Sequence, residues 1–485
     1  MGWFWPLITG FLLAHLPVMF GKRRFFELHW GASKEGTRPL RPLLESHFRP
    51  VTLENVTVAE RRFPLRVRVD LQRALESLLV GGTSVSHFCG VQKDYCHEGL
   101  SFSNILVEGS SPAVSVPPQY EEVDIGEAQP VRCLKNGLWL VNQNGNRFAI
   151  LLSPANRYGP VISGLQFQIA TVNDQDGIAV SQAFFKGLEE AVLKAHSYRG
   201  KVLSLEHAEY LYSGEATGIT VHRLHAVARD QVILPRATLE LLERNVIRFV
   251  GQRQRLRQLG QPTKKGILFY GPPGTGKTHT LHYLAGALPG HTTLLVSAEQ
   301  VALLSEYMTL ARLLQPSIVV LEDADLIARE RTEMGSPCEE VLLNKLLNEM
   351  DGLKEEADIL FILSTNRPQS LEGALTSRPG RIDQAIEFPL PDEEGRAKLI
   401  RLYGQGTQMS DELVATIVRR TEKVSAAFIK ELMRRSVQFH LERTDTSCIE
   451  LADVENALEE MLFSGGSLNV KLLGAAIDGN SRPAA

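Results

Sequence analysis

Cysteine is scarce in this 485-residue chain: there are five, Cys89, Cys96, Cys133, Cys338 and Cys448. That density excludes a disulfide scaffold, and the odd count fits a reducing compartment, with the cytosol as the default. An excess of either charge is missing too. With 52 Lys+Arg against 56 Asp+Glu the formal net charge is −4, so nothing global points to nucleic acid or to an acidic solvating tail. Metal and hydrolase signatures fail as well. Cys89, Cys96 and His97 are wrongly spaced for a zinc knuckle, and no second pair answers them. No His-Glu-x-x-His occurs, since His207-Ala208-Glu209 and His440-Leu441-Glu442 both break the pattern, which argues against a zinc protease. A Gly-x-Ser-x-Gly elbow is also absent. What is present is globular: 44% hydrophobic and 22% charged residues, enough for about three domains.

One long apolar run stands out. Trp3 to Phe20 is uncharged and is followed at once by Lys22-Arg23-Arg24. It is a candidate membrane anchor at the short end of spanning length, interrupted by Pro6, Gly10, His15 and Pro17. A cleaved signal peptide fits worse, because no basic residue precedes the run and no small-x-small site follows it. The alternatives are a docked apolar segment or a start placed too early. If residues 3–20 span a bilayer, the basic triplet keeps everything downstream in the cytoplasm. Residues 30–225 read as an α+β region without repeats. Val69 to Val80 has helical spacing; Leu138 to Val141 and Phe148 to Leu152 flank an Asn-Gly step and predict a hairpin. Leu165 to Val172 reads as a strand. Ala179 to His196 reads as a helix burying Phe184, Phe185, Leu188, Val192 and Leu193, and Glu108 to Gln119 as an exposed loop.

The second half holds the decisive pattern. An apolar strand, Gly266 to Tyr270, feeds Gly271-Pro272-Pro273-Gly274-Thr275-Gly276-Lys277-Thr278, and a helix from His279 to Leu288 follows. This is the complete phosphate-binding loop sequence in its strand-to-helix setting. Glycines let backbone N–H groups close around phosphates, and the helix N-terminus adds its positive dipole end. Lys277 suits the β/γ-phosphates of ATP and Thr278 suits Mg2+. A second strand, Ser317 to Leu321, ends in Glu322-Asp323, where a metal-side ligand and a water-activating carboxylate are needed. Asp325 reads as a helix N-cap. A third strand, Ile359 to Leu363, leads to Ser364-Thr365-Asn366, whose neutral amide can hold an attacking water without adding charge.

These residues, with Leu347 to Leu353, Thr365-Asn366-Arg367-Pro368 and Leu375 to Asp383, resemble the AAA family of ATPases over about residues 227–463. The resemblance implies an α/β fold: a parallel-sheet nucleotide-binding domain (226–391) and a small helical lid (392–463). Before them come the apolar segment (1–29) and the α+β region (30–225); a flexible tail (464–485) follows. It further implies that Arg378 and Arg381 reach from one subunit into the neighbour's nucleotide site of a ring, six subunits by analogy. Helices are expected at Arg396 to Leu402, Asp411 to Arg420, Ala426 to Leu441 and Leu451 to Leu462. Two departures stand out. The family usually ends the second strand with Asp then Glu; this chain has Glu322 then Asp323, an order also seen in the branch resembling the mitochondrial Rieske-protein translocase. Glu322 is therefore assigned to Mg2+ and Asp323 to water activation. The aromatic-apolar-Gly loop of threading members is also missing, and Tyr307, at helical spacing with Leu303 and Leu310, reads as core.

The sequence thus points to a Mg-ATP-hydrolysing oligomer that faces the cytoplasm and remodels a protein or complex chosen by residues 30–225. The alternatives are a low-turnover ATP-dependent scaffold and a nucleic-acid-linked motor. The latter rests on Arg253, Arg255, Arg257, Lys264 and Lys265, but a basic run without interleaved aromatics argues against nucleic acid and for a solvated face or subunit contact.

Overall fold

The computed structural model describes residues 38–80, 84–93, 100–106, 111–143, 145–156, 162–194, 197–205, 218–325, 348–349, 357–369, 381–444 and 447–464. The apolar segment at 3–20, Cys96, His97, Cys338, Arg378 and the chain beyond residue 464 lie outside them.

The first described strands are β1 (Val56–Pro64), β2 (Ser84–Gln92), β3 (Val114–Val116), β4 (Tyr120–Val123), β5 (Val131–Leu134), β6 (Gly137–Gln143), β7 (Asn146–Asn156) and β8 (Ile162–Val172). All but β4 and β5 form a six-stranded antiparallel sheet in the order β1-β8-β7-β6-β2-β3. The expected hairpin is β6–β7, closed by the Gln143↔Asn146 pair, with Gly145 in the turn at φ +88°. Side chains alternate between the faces, as strand geometry requires. Phe148, Ile150 and Leu152 pack under the helices Arg68–Val80 and Gln175–Leu193, while Ala149 and Leu151 face the helices Leu40–Phe48 and Phe102–Leu106.

Two local expectations are corrected. Leu193, at the C-terminal end of its helix, is 65% exposed rather than buried. Within Glu108 to Gln119, β3 forms a short ladder on β2 (Gly90↔Val116), so part of the expected loop extends the sheet.

The second sheet has seven strands: β9 (Val202–Leu205), β10 (Ile219–His222), β11 (Lys265–Tyr270), β12 (Thr292–Val296), β13 (Ser317–Leu321), β14 (Ile359–Thr365) and β15 (Gln384–Glu387), ordered β10-β9-β12-β13-β14-β11-β15. Every neighbouring pair is parallel except β10–β9. A parallel sheet covered on both faces needs continuous apolar strands, and all residues of β13 and β14 are buried. One face packs on the helix Leu304–Leu313, the other on the helix Lys277–Ala287 and on Leu242 and Val246 of the helical segments Arg236–Leu242 and Glu243–Arg248. Tyr307 is fully buried; its hydroxyl donates to Gln300 (2.9 Å) and accepts from the Leu205 N–H (2.7 Å), as a core residue should when its polar end is paired.

β9 and β10 come from the stretch read as 30–225, so the second sheet begins before residue 226. The two sheets are also joined by the β4–β5 hairpin region: Val123, Ile125 and Cys133 share one core with Leu203, Leu304 and Tyr307. Lys201 donates to the carbonyls of Ile125 and Ser197, and Arg68 pairs with Glu121. The helices Glu393–Tyr403, Asp411–Arg420, Ala426–Arg443 and Leu451–Glu459 form a small bundle with its own apolar core. Asp392, Ser410 and Ser425 cap the first three by accepting a backbone N–H.

Candidate nucleotide site

β11, β13 and β14 run parallel, so their C-terminal ends open onto the same edge of the sheet. Leaving β11, the chain turns at Gly271 with φ +149°, where a Cβ would lie 2.2 Å from the Phe388 carbonyl oxygen. Only glycine fits there. Gly274 (φ +76°) backs onto the lid, where an added Cβ would lie 2.9 Å from the Ala427 Cβ, and its carbonyl accepts the Ala427 N–H at 3.0 Å. Gly276 (φ +96°) starts the helix Lys277–Ala287, and no side chain caps that N-terminus. The outcome is a concave loop of backbone donors at a positive helix end, the chemistry that a phosphate chain fits.

Lys277 is 7% exposed and donates to the carbonyls of Gly271 (2.8 Å) and Pro272 (2.9 Å). Burial pulls its pKa down to about 8, against the opposing pull of the Asp323 and Asp325 carboxylates. Thr275 ties the loop by donating to the Pro272 carbonyl (2.9 Å). Pro273, Thr278, Asp323 and Asn366 line a cavity of about 360 Å³ with the loop, and Leu399, Tyr403 and Lys430 close it from the lid. Asp323 is exposed towards this space, while Glu322, one residue earlier, is half-buried and donates its N–H to the Val296 carbonyl (3.2 Å). The Asn366 side-chain amide donates to the Asp323 carboxylate at 3.1 Å. Asp323 holds φ +48°, unusual for a non-glycine residue, and its N–H donates to the Ser364 hydroxyl (3.3 Å). Of the two residues assigned to Mg2+, Thr278 is exposed and lines this cavity whereas Glu322 is not among its lining residues; hydroxyl and carboxylate oxygens are donors of the kind Mg2+ takes.

Arg381 stands apart from this cavity and donates to the Asn348 side chain (3.5 Å). The basic run forms no stripe. Arg253 is buried over the Phe249 ring, Arg257 pairs with Asp358 (2.7 Å), and Lys265 donates to Asn245 (2.8 Å). Asp325 already lies within the helical turn that Ala324 opens rather than ahead of it; it is 4% exposed and accepts from the Thr365 hydroxyl (2.9 Å) and the Asn366 N–H (3.0 Å). Sequence reading also missed Ser364 and the lid residues Tyr403 and Lys430. For Asp325 the local signal was a third acid two positions beyond the strand-end pair; Tyr403 and Lys430 had none.

Residues 267–390 match the family described as "ATPase family associated with various cellular activities (AAA)". The chain carries an AAA-family ATPase domain. This AAA domain is similar to the proteasome-activating nucleotidase of Methanosphaerula palustris, 32% identical over 216 residues, 42% of this chain and 52% of that protein. It is also similar to the ATP-dependent zinc metalloprotease FtsH 1 of Methylacidiphilum infernorum, 32% identical over 260 residues, 51% of this chain and 39% of that protein. The 26S proteasome regulatory subunit S10B homolog B of Arabidopsis thaliana is 31% identical over 194 residues, 38% of this chain and 48% of its own. The chain thus spans about half or less of the length of these relatives. Among the described residues, no helix is long and apolar enough to cross a membrane.

Proposed function

We propose that this protein is a Mg-ATP-hydrolysing AAA ATPase that works as a homo-oligomeric ring and remodels a protein or protein complex chosen by residues 30–225. The observation that carries the reading is the meeting of the uncapped phosphate loop, Lys277, Asp323 and Asn366 around one cavity. In this reading the loop N–H groups and Lys277 hold the phosphate chain, and Thr278 and Glu322 serve Mg2+, directly or through water. Bound Mg2+ offsets phosphate charge. Asp323 accepts the proton of the attacking water, and Asn366 fixes both that carboxylate and the water by hydrogen bonds. Arg378 and Arg381 act on the neighbouring subunit's nucleotide, which fits Arg381 standing away from its own cavity.

The relatives' names support protein as the substrate class: one is a proteasome-activating nucleotidase, one a 26S proteasome regulatory subunit and one an ATP-dependent zinc metalloprotease. Zinc-protease chemistry is not carried over, since this sequence contains no His-Glu-x-x-His. The buried Tyr307 also speaks against a threading aromatic at that position. The ATPase faces the cytoplasm, with residues 3–20 as its candidate anchor.

Phosphate release from Mg-ATP tests the reading. Turnover per subunit should rise with protein concentration. Mixing Arg378→Ala subunits with Asp323→Asn subunits should restore part of the activity lost in each. Concentration-independent turnover without rescue would falsify the shared site, and absence of turnover would favour the scaffold.

A further inference from the structure

Four hydrogen bonds tie the segment after β13 to the last two residues of β14 and to Asn366 just beyond it. The Asp323 N–H donates to the Ser364 hydroxyl (3.3 Å), and the Asn366 amide donates to the Asp323 carboxylate (3.1 Å). The other two end on one atom, Oδ1 of Asp325, which accepts from the Thr365 hydroxyl (2.9 Å) and the Asn366 N–H (3.0 Å). The Thr365 hydroxyl in turn accepts from the Arg367 N–H (2.9 Å), so the same carboxylate sets the course of the backbone over three residues. Asp325 lies beneath the cavity without lining it, and is buried. A buried carboxylate away from water requires donors, and here the donors belong to the segment that carries the water-holding amide.

We infer that Asp325 is a positioning residue for hydrolysis: it anchors the Asn366 backbone, and through it the side-chain amide that aims the Asp323 carboxylate. The inference rests on the hydrolytic reading above. Its physical basis is geometric. Asn366 follows the last residue of β14 and has left the ladder, so β-pairing no longer fixes its φ and ψ. Anchoring the backbone N–H removes that freedom, and a misplacement of about 1 Å at the water-holding group costs up to a hundredfold in rate. Substrate binding does not depend on this anchor, because the loop and Lys277 hold phosphate through other bonds.

The test is a double-mutant cycle on phosphate release, with nucleotide affinity measured separately. Asp325→Ala should lower kcat at least about tenfold while leaving Kd for Mg-ATP within about threefold. Asp325→Asn keeps an oxygen at the Oδ1 position, so it should recover most of the kcat. In the Asn366→Ala background, Asp325→Ala should cost nothing further, because its target is gone. Thr365→Val is the milder probe should Asp325→Ala fail to fold; its smaller loss should likewise vanish when Asn366 is Ala. An active wild type with unchanged kcat in Asp325→Ala overturns the inference. So does a loss of equal size in both backgrounds, or a Kd that rises as much as kcat falls. A wild type that binds Mg-ATP without turning it over overturns the hydrolytic reading itself, and this role with it.

Discussion

The two sheets solve the burial of polar groups in opposite ways. In the antiparallel sheet successive strands end at alternate edges, and its buried glutamines find separate local partners: Gln166 and Gln168 both donate to the exposed Glu60 of the neighbouring strand, and Gln168 accepts the Phe102 N–H. In the parallel sheet β11, β13 and β14 all end at one edge, and the polar groups there converge on a cavity. Strand direction alone decides whether polar loops scatter or meet. The antiparallel sheet can carry shape for recognition; the parallel one concentrates chemistry.

The sharpest way to break this contrast is Lys277→Ala. It should abolish measurable Mg-ATP binding by calorimetry, a loss of at least about a hundredfold, while leaving the protein folded. Retained affinity would remove the chemical distinction between the edges. Next is Ile125→Ala, in the core that joins the sheets. Deleting this fully buried side chain should cost about 2–4 kcal/mol and lower one shared denaturation midpoint. Two separate transitions, with only one moving, would show that the sheets are independent. Asp323→Asn should keep ATP binding and lose turnover about tenfold or more. If it turns over normally while Glu322→Gln does not, the two acidic roles are exchanged.

Tyr307→Phe leaves the buried Leu205 N–H without its acceptor and should cost about 1–2 kcal/mol in chemical denaturation. The smallest effect belongs to the lid. Glu431 accepts from Arg434 first and, against the upward push of burial, from Arg435, which draws its carboxyl down to about 2. Its stabilisation is complete above the unfolded carboxyl's pKa near 4.3 and is lost as pH falls towards 2. Glu431→Gln should therefore lower the melting midpoint by about 1 °C at pH 7. The difference should shrink as pH falls through about 2, and one that keeps its full size there would have another cause.

Much of the parallel region was legible because its signals are local. The phosphate loop is eight consecutive residues, and strand-end acids sit next to their strands. The β6–β7 hairpin was legible for the same reason, through its Asn-Gly step. What escaped depends on distant pairing. β9 joins β12 about ninety residues on, Thr293↔Val202, and no period in Val202–Leu205 says which sheet it will enter. Asp325 resembled a helix cap because an acid after a strand usually is one, and its true partners lie forty residues later. Leu193 fitted an apolar stripe whose last turn runs past the sheet it covers.

The bond from the Ala427 N–H to the Gly274 carbonyl has a mechanical consequence. It fastens the phosphate loop to the first turn of Ala426–Arg443, an 18-residue helix that is about 27 Å long at 1.5 Å per residue. A rigid rod pinned at one end magnifies small rotations, and a tilt of about 10° at the loop displaces its far end by about 5 Å. A sub-ångström adjustment of the loop, were it passed through this bond as a tilt, would thus be felt at the far end of the helix as a displacement on the scale of a helical turn.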